Sequence, residues 1–227
     1  MLSNSVNTNV GAMVALQNLN ATNSELSRTQ NRISTGFKVG SAKDNGATWA
    51  IAQNQLATSL SLNAVKDSLA RGSSTIDVAL AAGESVSDLL TQMKEKALAA
   101  SEATLDATSR KALNEDFVAL RNQIAKAVSN AEFNGSNLLD GSTTGMGALA
   151  NAAGTSTLTV AGENLSLSGS VVSVSSTASI GTASAAAAMI TTVQTSIDAV
   201  SSALSRLGTS SKAFAMHQSF VSKLQDT

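Results

Sequence analysis

The sequence predicts a mainly α protein: a long antiparallel, coiled-coil-like helical rod with a small β-hairpin insert. Three observations carry this. Apolar residues recur at alternating three- and four-residue spacing over long stretches, the pattern of a helical seam. Proline is absent from all 227 residues, so nothing of that kind forces a helix to kink or stop. The hydrophobic fraction is 43% but the aromatic fraction only 3%, and much of the apolar content is Ala. Ala favours helices and fills little volume, which suits close-packed helices better than a thick globular core.

Residues 1–40 read as an amino-terminal assembly helix and linker. The helix runs from about Val6 to Gly36, with Leu16, Leu19, Asn23, Leu26, Gln30 and Ile33 on one face. Asn23 and Gln30 make it a poor lone helix, so it is expected to order on association, through Leu16, Leu19, Leu26 and Ile33. Gly36 and Gly40 end it.

Residues 41–140 read as the central helices of the rod. Ser41-Ala42-Lys43-Asp44 has the form of a capping box, opening a helix that reaches about Ser101 with a soft spot at Gly72-Ser73-Ser74. Ile76, Ala79, Gly83, Val86, Leu90, Met93, Ala97 and Ala100 form its seam, with Val86, Leu90 and Met93 as the chief packing residues. After a polar break at Thr104 to Thr108, Leu113, Phe117, Leu120, Ile124, Ala127 and Ala131 share a face of a third helix. Phe133-Asn134-Gly135 then supplies a strong turn signal.

Residues 141–185 form a variable Gly/Ser/Thr-rich insert. Leu158-Thr159-Val160 and Leu165-Ser166-Leu167 flank Ala161-Gly162-Glu163-Asn164 as a hairpin would, and Val171 to Val174 offer another short strand. Residues 186–227 carry the carboxy-side rod helix, with periodicity from Ser184 to Asp226. Its seam is Ile190, Val193, Ile197, Val200, Leu204, Leu207, Ser211, Phe214, Gln218 and Val221, with Val200, Leu204 and Leu207 as packing residues. This helix is expected to pack on the long central one, with the insert at the far end where the chain reverses.

Chemistry is sparse. Fifteen basic and 16 acidic residues are interspersed, with no basic stripe for nucleic acid. Cysteine is absent, and the lone His217 cannot form a His-based metal cluster, so no cofactor is implied. No serine lies in a nucleophile elbow. Glu115-Asp116 reads as a solvated helix face, and Trp49 as a packing anchor for the linker. The uncharged run 164–197 is too rich in Ser and Thr for a membrane span, and the first helix, with Arg28 and Arg32 its only basic residues, suits another helix better than a membrane surface. Met1 to Val14 has no secretory-signal pattern, so export would use another route.

Arg32-Ile33-Ser34-Thr35-Gly36, Ser41-Ala42-Lys43-Asp44-Asn45 and Ala50-Ile51-Ala52 strongly resemble the amino-terminal signature of bacterial flagellins. Val6-Asn7-Thr8-Asn9, the run Phe133 to Gly141, and Leu204-Ser205-Arg206-Leu207-Gly208 through Phe214 fit the same family. The resemblance implies a secreted, self-assembling filament subunit for motility, which partners copies of itself, the flagellar export apparatus and a chaperone. It implies terminal segments paired in the filament's inner core, central helices packed around them, and the middle of the chain projecting outward. Flagellins carry a further terminal helix beyond Asp226-Thr227, so a truncated chain that assembles poorly alone is expected. Gln92 stands about where an arginine serves innate immune recognition in some members, so weak receptor activation is expected. The alternatives are a hook–filament junction protein and an adhesive module using the insert.

Overall fold

The structure is a computed structural model that describes residues 9–226; Val6, Asn7 and Thr8 lie outside the described residues. It contains α1 (Val10–Thr35), α2 (Gly46–Ala100), α3 (Ala107–Ser129), β1 (Glu132–Phe133), β2 (Ser136–Asn137), β3 (Gly145–Leu149), β4 (Thr157–Ala161) and α4 (Ala183–Gln225). The backbone divides into two compact units, with the boundary after Thr58.

In the first unit, the Asn9 side chain accepts from Ala12 N at 3.1 Å to cap α1. Gly36 closes the other end at φ 72°, donating its N–H to the Arg32 carbonyl; this left-handed conformation suits glycine. The expected capping box does not start α2. The Asp44 carboxylate accepts from Gly40 N, Ser41 N and the Ser41 hydroxyl at 3.1–3.2 Å, folding the linker onto itself. The Ser41 hydroxyl donates to the Asp44 carboxylate and is not the acceptor that opens α2. Asn45 takes that role instead, accepting from Thr48 N at 3.0 Å, and α2 begins at Gly46.

In the second unit, α2 buries Leu62, Val65, Leu69, Gly72, Ile76, Ala79, Gly83, Val86, Leu90, Met93, Ala97 and Ala100, an unbroken three-four alternation. The expected soft spot at Gly72 is no interruption. Gly72 is itself a stripe position, where absence of a side chain admits the Phe214 ring; an added Cβ would lie 2.5 Å from Phe214 Cε1. Gly83 admits Leu204 in the same way. The helices run antiparallel: Lys94 bonds Gln194, Gly83 meets Leu204, Gly72 meets Phe214, and Lys66 bonds Gln225.

The α4 stripe differs from the expected one. Ala186, Val193, Val200, Leu207, Phe214 and Val221 are buried at a strict seven-residue interval, with Ser196 and Ala203 buried beside them. Ile190, Ile197, Leu204, Ser211 and Gln218 are half-buried. Packing of the insert on α4 explains the shift: Ser173 N donates to the buried Ser196 hydroxyl at 3.1 Å. In α3, capped by Asp106, the buried residues are Phe117, Ile124 and Val128. Arg110 fastens the α2–α3 turn, donating to the carbonyls of Ala100 (3.0 Å) and Glu102 (2.7 Å).

The insert also departs from expectation. Its hairpin is β3 with β4, registered Gly145↔Ala161 through Leu149↔Thr157, and Leu165-Ser166-Leu167 is not a strand. Asn151 Oδ1 accepts from Thr155 N and Ser156 N, and Gly154 adopts φ 69°, so the chain reverses before β4. Past β4 it is drawn aside, because Gly162 N donates to Thr144 O, Glu163 N to Leu138 O and Leu165 N to Leu139 O. Val171, Val172 and Val174 are buried without forming a strand. Nor does the insert sit at a far end. Leu149 N bonds Ser68 Oγ and Ala150 O bonds His217, while Ile180 N bonds Asn114 and Ala178 O accepts from Arg121. It thus lies along the helices and completes their core.

Candidate assembly interface

The seam residues singled out in the helices fall into two physical classes. Val86, Leu90, Met93, Val200 and Leu207 are buried within the second unit, and Leu204 is half-buried with its methyl in the Gly83 notch. No residue of α1 is buried. Leu16, Leu19 and Leu26 keep 59%, 56% and 54% of their surface exposed, and Ile33 keeps 78%. α1 is a 26-residue helix whose apolar stripe stays exposed in this chain.

The Phe133-Asn134-Gly135 turn has a different task. Asn134 and Gly135 take φ 51° and 78° and join β1 to β2, a two-residue hairpin with both central residues left-handed. This aims Asn137 inward, where Nδ2 donates to Val128 O at 2.8 Å and Oδ1 accepts from Leu139 N at 2.8 Å. Leu138 and Leu139 are thereby fully buried. The sequence reading missed Asn137, for which the Asn-Gly turn two residues earlier was the available signal.

It also missed a second exposed apolar row. Met216, Phe220 and Leu224 on α4 recur every four residues and stay 69%, 56% and 50% exposed. Trp49 lies in the first turn of α2 and is 37% exposed. The linker is also held by the bonds of Gly40 N and Ser41 N to the Asp44 carboxylate.

The charged groups tie elements together. Arg206 grips Glu163 with two hydrogen bonds of 2.6 and 2.7 Å, joining α4 to the segment after β4, and the Glu163 carboxylate raises the Arg206 pKa. Lys96 pairs with Asp116 at 2.8 Å between α2 and α3, which raises the lysine pKa. The Ser109 hydroxyl and N–H hold Asp106 below the ordinary carboxylate range, and the Ser142 hydroxyl and N–H do the same for Asp140. His217 Nε2 lies 2.7 Å from Ala150 O, tying α4 to the insert. Among the described residues no group of three His, Cys, Asp or Glu side chains is placed to hold a metal, and no helix is long and apolar enough to cross a membrane.

The long antiparallel helices of the second unit and the exposed apolar stripe of α1 define a mainly helical protein of long, apolar-seamed helices. Residues 6–144 match the family model for the bacterial flagellin N-terminal helical region. The chain is 56% identical to flagellin FljM of Caulobacter vibrioides over all of its own length and 82% of that protein. Flagellin FljJ of the same organism is 40% identical over 98% of this chain and 80% of its own. The crystal structure of Bacillus cereus flagellin shares the fold, with a TM-score of 0.59 at 22% identity, covering 68% of this chain and 88% of that one. The chain belongs to the bacterial flagellin family and is a structural subunit of the flagellar filament.

Proposed function

We propose that the chain polymerises through the exposed α1 stripe of Leu16, Leu19, Leu26 and Ile33, while the second unit supplies a rigid, pre-folded rod. The observation carrying this reading is the contrast in burial: the α2 and α4 stripes are covered within one chain and the α1 stripe is not. Each of the α1 leucines has a little over half its surface left to bury, so covering it contributes about 1–2 kcal/mol, and several such residues per subunit add up to a drive for association. The exposed Met216, Phe220 and Leu224 row adds a second surface for contact with neighbouring copies. In this reading residues 1–40 form the assembly segment, residues 41–140 and 186–227 the rod helices and residues 141–185 the insert, with the pre-folded part of the rod beginning after Thr58. The role is structural rather than catalytic. Secretion through the flagellar export apparatus, assisted by a chaperone, accompanies it and places the subunit in the extracellular filament.

Seeded assembly tests the reading. Wild-type protein added to sheared filament fragments is expected to bind them and sediment with them. A Leu19→Asp/Leu26→Asp variant is expected to remain in the supernatant with an unchanged melting temperature. Incorporation of the variant at the wild-type rate would remove α1 from the interface.

A further inference from the structure

The chain contains three Asx-Gly pairs, Asn45-Gly46, Asn134-Gly135 and Asp140-Gly141, and the structure treats them differently. An asparagine followed by glycine is prone to cyclise, because a glycine has no Cβ to hinder approach of its amide nitrogen to the asparagine side chain. Space does not separate the two asparagines: a Cβ placed on either Gly46 or Gly135 would meet nothing within 4 Å. Engagement of the side chain does. Asn45 Oδ1 accepts from Thr48 N at 3.0 Å as the cap of α2, which orients that carboxamide toward the helix. The Asp140 carboxylate is held by Ser142 N at 2.8 Å and by the Ser142 hydroxyl at 2.6 Å, which keeps it ionised and a poor electrophile. Asn134 is exposed at the tip of the β1–β2 turn, and no described residue bonds its carboxamide or the Gly135 N–H.

We propose that Asn134 is a selective site of spontaneous deamidation, a chemical ageing point at the turn that positions Asn137. The Gly135 amide nitrogen attacks Asn134 Cγ and forms a new C–N bond. The bond from Cγ to the side-chain nitrogen breaks, and ammonia leaves carrying the proton lost by the amide. The resulting succinimide takes up one water and opens to either aspartate or isoaspartate; no oxidant or reductant takes part. Aspartate tolerates the left-handed conformation and preserves the turn. Isoaspartate inserts an extra methylene into the main chain of a two-residue loop whose length fixes the strand register. The hydrogen bonds of Asn137 to Val128 O and Leu139 N then lose their alignment, and Leu138 and Leu139 lose their seating.

The test ages the soluble full chain in mildly alkaline buffer and follows it by peptide mass spectrometry with isoaspartyl methyltransferase labelling. The peptide carrying Asn134 is expected to convert and take up label well ahead of the peptide carrying Asn45. The aged wild type is expected to melt lower than fresh protein. Asn134→Gly, which keeps a residue suited to positive φ, is expected to hold its melting temperature on ageing, and Asn134→Asp separates the effect of charge from that of the isopeptide. An unconverted Asn134 peptide, or conversion at Asn45 keeping pace with it, would overturn the proposal. So would an equal loss of melting temperature in aged Asn134→Gly.

Discussion

Gly72 and Gly83 occupy equivalent places in the α2 stripe, yet their neighbours make them unequal. At both, an added Cβ would come within 2.5 Å of a side chain of α4. At Gly72 the obstacle is the Phe214 ring, fully buried and stiff; at Gly83 it is the terminal methyl of half-buried Leu204, which can turn aside. Replacing a helix-interior glycine by alanine gains about 1 kcal/mol of helix propensity. Overpacking opposes that gain by about 1–3 kcal/mol where the neighbour cannot move. Gly72→Ala is therefore expected to lower stability to urea, and Gly83→Ala to leave it within about 1 kcal/mol of wild type. Combining Gly72→Ala with Phe214→Leu should recover part of the loss, because the smaller side chain vacates the notch. Asn137 is the polar counterpart: Asn137→Ala leaves Val128 O and Leu139 N without their buried partner and should cost about 2–3 kcal/mol in the same measurement.

At the scale of elements, α4 shows what the sequence can and cannot tell. Its helical character and its pairing with α2 were legible from the spacing of Val193, Val200, Leu207, Phe214 and Val221 alone. Which flank completes the stripe was not legible. Ile190, Ile197 and Leu204 are the more apolar choice, but Ser196 and Ala203 are the more buried, because the insert lies on that side and small residues let it approach. That contact joins residues far apart in the chain, beyond the reach of any local periodicity. The hairpin failed for the same reason: Leu158-Thr159-Val160 and Leu165-Ser166-Leu167 alternate correctly, but bonds to Leu138, Leu139 and Thr144 pull the second run away. The helical form and apolar face of α1 were legible because both are local; the helix spans Val10–Thr35 and keeps Leu16, Leu19, Leu26 and Ile33 exposed. Leu204→Ala tests the half-buried flank. With Leu204 seated in the Gly83 notch but not enclosed, the expected cost is about 2 kcal/mol, the lower end for such a truncation. Leu207→Ala, fully enclosed on the same helix, should cost about 3–4 kcal/mol.

Across the whole molecule, few charges do much structural work, and the acid response follows from where they sit. Asp106 caps α3 through Thr108 N and Ser109 N, and Asp140 fixes the turn that leads from β2 into the insert. Both carboxyls are held below their ordinary range by Ser109 and Ser142 respectively. A depressed folded-state pKa means that the unfolded chain binds the proton more readily than the folded chain. The stabilisation is therefore complete at neutral pH. It begins to fall as pH drops through the ordinary carboxylate range of the unfolded chain, and is lost once pH passes below the depressed folded values. The melting temperature of wild type should accordingly be flat near neutrality and decline as the solution is acidified past that range. Asn caps a helix about as well as Asp but does not titrate. Asp106→Asn should then melt close to wild type at neutral pH and lose less than wild type on acidification. If the two proteins show the same acid slope, the decline arises from carboxylates other than the α3 cap, and Asp140→Asn in the same titration identifies whether the β2 turn is the source.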